Sequence, residues 1–207
     1  KTVEWDKGLI WNAEMTSTNY ATAKYWASKG ASRVVLAREL NLQEVLDIKQ
    51  HVDMEVQLQV HGMTNIYHSG RPLVQNFHEH QGTTTSNLDS LGQQKGMYLV
   101  ERERKDLKFP IFEDQNGTHV MSSDDICMLE DLHELMQGHV DSFKIEGLLK
   151  SVEYNEIVLK AYRKAIDVFS NDPTGYEFDP DWLESIEQIQ PEDRELSFGF
   201  FYKEQVY

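Results

Sequence analysis

Apolar and polar positions alternate most regularly at residues 55–61, where Val56, Leu58 and Val60 interleave with Gln57, Gln59 and His61. That is the two-residue period of a half-buried strand. Residues 8–15 form a shorter apolar strand that ends in Thr16-Ser17-Thr18-Asn19, a polar run able to cap a helix over 20–28 before Lys29-Gly30 stops it. Residues 32–37 are rich in Val and Leu, as in strands covered on both faces. Asn41 then caps a helix through about His51, with Leu42, Val45, Leu46 and Ile48 at near-helical spacing. Strand and helix alternating in this way predict a parallel α/β sheet or barrel.

The rhythm changes after the third strand. His61-Gly62 is expected to end it, with the imidazole left at the strand's mouth. Ser69-Gly70-Arg71-Pro72 makes a second turn, and a short helix can start at Leu73. Residues 78–96 read as an exposed loop. Residues 97–104 and 109–113 read as strands, and the turn Gln115-Asn116-Gly117-Thr118 leads into His119-Val120-Met121, which together predict a small antiparallel insertion. Ser122-Ser123-Asp124-Asp125 offers caps for a helix over 129–136 that Gly138 ends. The parallel rhythm resumes at 141–146 with Phe143 and Ile145 inward. A long helix over 152–169 places Val158, Leu159, Tyr162, Ala165, Ile166 and Phe169 on one stripe, and residues 181–189 and 196–202 give a last helix and an apolar tail.

Composition narrows the function classes. With 207 residues and 40% hydrophobic content, the chain can bury one sizeable core. Its apolar runs fall far short of the ~20 residues a membrane-spanning helix needs, so a cytoplasmic protein without a membrane partner is the expectation. Thirty-five acidic against 20 basic residues give a formal charge of -15, which repels nucleic acid at long range unless a local basic groove intervenes. The single cysteine, Cys127, excludes an intramolecular disulfide and a cysteine-ligated cluster built within these residues.

In an α/β barrel the active face lies at the strand C-termini. Glu14 and Thr16, Arg38 and Glu39, His61, and Lys144 and Glu146 all fall there. His61, Glu39 and Glu146 are the candidate bases, and Arg38, Lys144 and Arg71 the candidate substrate-binding cations. The bland alternatives are rim ion pairs, a satisfied rim histidine and ordinary surface arginines. His78-Glu79-His80 with His68 lacks the spacing of a helical metal motif, so no metal and no cofactor are expected. Ser69 reads as a turn-capping serine and Cys127 as a core residue.

Several blocks together resemble peptidase family U32, the collagenase-like proteases. They are His61-Gly62 with Ser69-Gly70-Arg71, the strand Val35-Leu36-Ala37 ending in Arg38-Glu39, the segment 121–127 with Ser122-Ser123-Asp124-Asp125, and the block 141–147 followed by Lys150-Ser151 and Tyr154. Many members place cysteines where this chain has Asn65 and Pro72, and usually a glutamate where it has Gln57. The resemblance implies an α/β fold, the C-terminal part of a TIM-like (β/α) barrel with its N-terminal strands missing. Residues 1–175 would form that partial barrel, with a β insertion at about 97–121, and residues 176–207 a helix and tail packed on it. A chain that begins at Lys1 and is soon in an apolar strand reads as a fragment whose open sheet edge something else covers. Three functions stay open: a peptidase acting on peptide or protein substrates, a cluster-less subunit of tRNA wobble-uridine hydroxylation working beside a cysteine-bearing U32 paralogue, and a non-catalytic binding or scaffold protein. A homodimer is also open.

Overall fold

The computed structural model describes residues 8–13, 16–82 and 96–204. These residues make a mixed α/β structure around an open eight-stranded sheet, and among them no barrel closure is present. The chain divides into two compact units. The first holds residues up to Gly62, Ile126–Glu192 and those from Leu196 on; the second holds Met63–Asp125 and Asp193–Glu195.

The first unit is built on parallel strands. β1 (Leu9–Asn12) pairs with β2 (Ala31–Val35), β2 with the start of β3 (Glu55–Ser69), and β3 with β7 (Ser142–Glu146), all parallel. Helices α1 (Tyr20–Ser28) and α2 (Leu42–His51) connect the first three strands. Each helix starts where its sequence places a cap: Asn19 Oδ1 accepts from Thr22 N at 2.9 Å, and Asn41 with Glu44 forms a reciprocal capping box. Helices α4 (Leu132–Gln137), α5 (Val152–Asn171) and α6 (Pro180–Glu187) complete the layer. Val34, Val56, Val60, Leu129, Val158 and Ile186 are wholly enclosed in the core. On α5 the buried stripe is Tyr154, Val158, Ala161, Tyr162 and Ala165, while Leu159, expected inside, lies 54% exposed.

The second unit is antiparallel. The outer half of β3 leads to α3 (Leu73–His80), and β4 (Tyr98–Val100) pairs with β5 (Lys108–Asp114), which makes a hairpin with β6 (Gly117–Cys127). Antiparallel strands therefore occur in the region where the sequence predicts them, with a shorter β4 and with β6 running on to Cys127. Asp114 pairs with Gly117 across the two-residue turn Gln115-Asn116, so Gly117, at φ 115°, begins the return strand. The sheet order is β1-β2-β3-β6-β5-β4, with β7 on β3 and the two-residue β8 (Leu196–Ser197) on β6.

Three expectations change. First, β3 runs on through His61-Gly62 for 15 residues in all, because β6 supplies its outer half with a hydrogen-bonding neighbour. Gly62, at φ 99°, forms an irregularity within the strand instead of its end. Second, Ser122–Asp125 is strand, not helix cap, since Asp125 spends its carboxylate on an arginine and the hydroxyl of Ser122 bonds Asp124 O and Thr64 N. Third, α3 extends to His80, into the stretch expected to be loop; residues 83–95 of that loop lie outside the described residues, as does Glu14.

Candidate functional site

In the first unit the parallel register carries β2, β3 and β7 toward the same end, where Arg38, Glu39 and Glu146 follow or close their strands. Arg38, half-buried, and Glu39, exposed, lie in the turn after β2. His61 and Gly62 pair with Ile145 and Glu146. Lys144 Nζ stands 3.3 Å from Glu146 Oε2, both side chains about 70% covered (27% and 30% exposed), and Glu146 Oε1 accepts from Leu148 N at 3.2 Å. Leu149 follows in the left-handed region at φ 65°. Lys144 and Glu146 thus form a half-buried ion pair at the strand end. Arg71 belongs to the second unit and is exposed on its turn.

The His61-Gly62 pair has a steric cause. A Cβ on Gly62 would lie 2.1 Å from Glu146 O, so only glycine lets β7 approach this closely. The register shifts between Gln59 and His61 relative to β7. The buried Gln59 amide follows the irregularity, with Nε2 donating to Gly62 O at 3.1 Å.

His61 does not open onto a strand mouth. It is fully buried, and its ring faces two tyrosines of α5. Nε2 lies 3.0 Å from Tyr154 Oη, and that hydroxyl donates to Gln190 Oε1 at 2.7 Å. Tyr162 Oη stands 3.4 Å from Nδ1, donates to Val60 O at 2.8 Å and accepts from Met128 N at 3.1 Å. Burial drives the Tyr162 phenol well above the ordinary tyrosine range, and the nearby Cys127 thiol adds to the shift. Burial likewise raises the Cys127 thiol. The register shift is the physical reason for the ring's direction, since a slip of one position reverses which face a side chain takes.

Other family-like residues serve as tethers. Asp141 Oδ2 takes Lys49 Nζ at 2.6 Å and Val56 N at 2.8 Å. Gln57 Oε1 accepts from Arg33 Nη1 at 3.2 Å and Ser142 Oγ at 3.3 Å.

In the second unit the Ser69-Gly70-Arg71 turn is clamped to the β5–β6 hairpin. A Cβ on Gly117 would lie 2.0 Å from Ser69 O, and Thr118 Oγ1 donates to Arg71 O at 2.9 Å. His68 and His119 stack at 4.6 Å, Asn65 Nδ2 reaches His119 Nδ1 at 3.3 Å, and His119 Nε2 lies 3.4 Å from Asp114 Oδ1. The Asp114 carboxyl is held below its usual range, first by the backbone N–H of Asn116. Buried Glu113 caps α3, accepting from Val74 N at 2.8 Å and Gln75 N at 3.0 Å, with Thr118 Oγ1 at 2.5 Å. Arg194 makes a buried pair with Asp125, Nη2 to Oδ1 at 2.7 Å.

Sequence reasoning missed Gln59, Gln190, Glu113 and the Asp125–Arg194 pair, whose partners are joined only by the fold. Tyr154 and Tyr162 were visible as a block residue and a helix-stripe residue, but no local signal showed where their hydroxyls go.

No cluster of three or more His, Cys, Asp or Glu able to hold a metal is present among the described residues. A cysteine-held iron–sulfur cluster does not fit these residues, because the one cysteine is buried with its thiol against Tyr162.

Residues 8–206 match peptidase family U32, and the chain belongs to that family. It is 47% identical over 203 residues to tRNA hydroxylation protein P2 of Bacillus subtilis, covering 98% of this chain and 65% of that protein. It is 30% identical over 217 residues to tRNA hydroxylation protein P of Escherichia coli, covering 86% of this chain and 47% of that one. An uncharacterized protease of Methanocaldococcus jannaschii is 31% identical over 197 residues, covering 90% and 45%. The chain thus spans about two thirds of the first of these relatives and under half of the other two. No solved structure matches it. No helix among the described residues is long and apolar enough to cross a membrane.

Proposed function

We propose that the protein acts in tRNA hydroxylation as a subunit without an iron–sulfur cluster of its own on these residues, beside a U32 paralogue that carries cysteines. The observation that carries this is the 47% identity to a tRNA hydroxylation protein over nearly the whole chain. Asn65 and Pro72 at the cysteine positions of the resemblance explain why a partner is needed. Arg38, Glu39, Lys144 and Glu146 are the substrate-facing charges in this reading, and His61 is a positioning residue that holds β3 to α5 through Tyr154 and Tyr162. Residues 1–175 are then the C-terminal part of a TIM-like (β/α) barrel with the insertion at about 97–121, and residues 176–207 pack on it. A cytoplasmic setting follows from tRNA as the substrate. In a strain lacking the gene, hydroxylated uridine should fall in digests of total tRNA, return with the full-length gene, and fail to return with Lys144→Met. Undiminished modification in the deletion strain, with no redundant paralogue present, would sink the reading.

The family name and the match to an uncharacterized protease favour a second reading, peptide-bond hydrolysis. Glu146 would be the base and Lys144 the stabiliser of developing negative charge. Full-length protein should cleave casein or denatured collagen, and Glu146→Gln should abolish it. Equal cleavage by both would remove this mechanism.

A further inference from the structure

We infer that the corner where the end of β3 meets the β5–β6 hairpin is a nucleotide subsite, taking one RNA base by stacking and its phosphate through Arg71; this rests on the tRNA reading above. Ile66, Tyr67 and His68 are three consecutive exposed residues at the end of a strand whose inner half is buried, and Tyr67 is 51% exposed. The core does not require such a run, and exposed aromatic or apolar runs are retained where a ligand covers them. The local chemistry is planar and polar. Tyr67 offers an aromatic face, and Arg71 is exposed on the adjoining turn, which Thr118 pins to β6. Stacking faces beside a guanidinium are what single-stranded nucleic acid recognition uses.

Competing partners for Arg71 and for the anion are already committed. Asp114 directs its oxygens to Asn116 N at 2.7 Å, Asn116 Nδ2 at 3.2 Å and His119 Nε2 at 3.4 Å. The N-terminal N–H groups of α3, otherwise an anion site, are filled by Glu113. A phosphate arriving here therefore meets Arg71, not a helix terminus.

Binding of full-length protein to a tRNA with an unmodified wobble uridine, followed by fluorescence polarisation across a salt series, tests this. Tyr67→Ala should weaken binding roughly 5- to 150-fold, the effect of losing one stacked base, whereas Tyr67→Phe should bind like wild type. Arg71→Ala should reduce the salt slope by about 1. Lys164→Ala, on α5, is the control and should change neither. Circular dichroism matching wild type establishes that each variant is folded. If wild type binds tRNA and Tyr67→Ala binds equally well, the subsite is overturned while the tRNA reading stands; a loss with Arg71→Ala alone overturns the stacking in the same way. Weakened capture of the cysteine-bearing paralogue by Tyr67→Ala, with tRNA affinity unchanged, would make the corner a protein contact and overturn the proposal. A wild-type protein that does not bind tRNA at any salt overturns the subsite, while the tRNA reading is decided by the deletion strain.

Discussion

Replacing Asp125 by Asn should destabilise the second unit by about 3–5 kcal/mol, because it strands a buried guanidinium without its counter-charge. Asp125 is fully buried and the Arg194 side chain is 9% exposed. Arg194 spends its donors on that carboxylate, on Ser122 O at 3.1 Å and on Asp124 O at 2.9 Å. Substituting Arg194 by Met removes all of these at once and leaves the buried Asp125 carboxylate without its counter-charge, so its cost should be at least as large. The double variant Asp125→Asn, Arg194→Met removes both charges and should cost far less than the sum of the singles. Urea denaturation gives the overall loss. Hydrogen exchange at the Asp125 amide, which bonds Glu195 O at 2.9 Å, gives the local one. Singles within about 1 kcal/mol of wild type, or strict additivity, would refute the claim that this pair holds residues 193–195 to β6.

Three further outcomes follow from the geometry. Gly62→Ala must clash with Glu146 O and hold a positive φ, so it should lower the unfolding free energy, read by urea denaturation, by more than the roughly 1–3 kcal/mol typical of a strained residue alone. Glu113→Ala deprives two α3 amides of their acceptor and should cost about 1–3 kcal/mol, read as loss of helical signal and faster exchange at Val74 and Gln75; unchanged exchange would count against the cap. Burial raises the Tyr162 and Cys127 pKa values above their unfolded ones, so the stability they contribute is complete below the ordinary thiol and tyrosine ranges, about 8.5 and 10, and is lost as pH climbs beyond them. Unfolding midpoints should therefore fall above about pH 9, and Tyr162→Phe should flatten that fall while costing about 1–3 kcal/mol at neutral pH through its lost hydrogen bonds; an equally steep alkaline fall in the variant would show that Tyr162 is not its source.

Local signals were legible where local physics decides. The caps Asn19 and Asn41 lie where their helices begin, because a cap and its first turn are neighbours in sequence. The extent of β3 was not legible: whether a strand stops at a glycine depends on β6, which arrives more than fifty residues later. Likewise Asp125 reads as a helix cap until Arg194, 69 residues on, claims it. Of the candidate residues, the place of Lys144 and Glu146 at the end of their strand was legible. The facing of His61 was not, since it turns on a register shift that no residue pattern encodes.

The Glu113 cap also orders events in time. An eight-residue helix has little stability by itself, and the carboxylate that completes α3 stands on a strand some forty residues downstream. While the protein is being synthesised, α3 must therefore wait, frayed and open to proteases, until the β5–β6 hairpin has emerged and closed. Cleavage within 73–80 on stalled nascent chains would report directly whether that hairpin has formed.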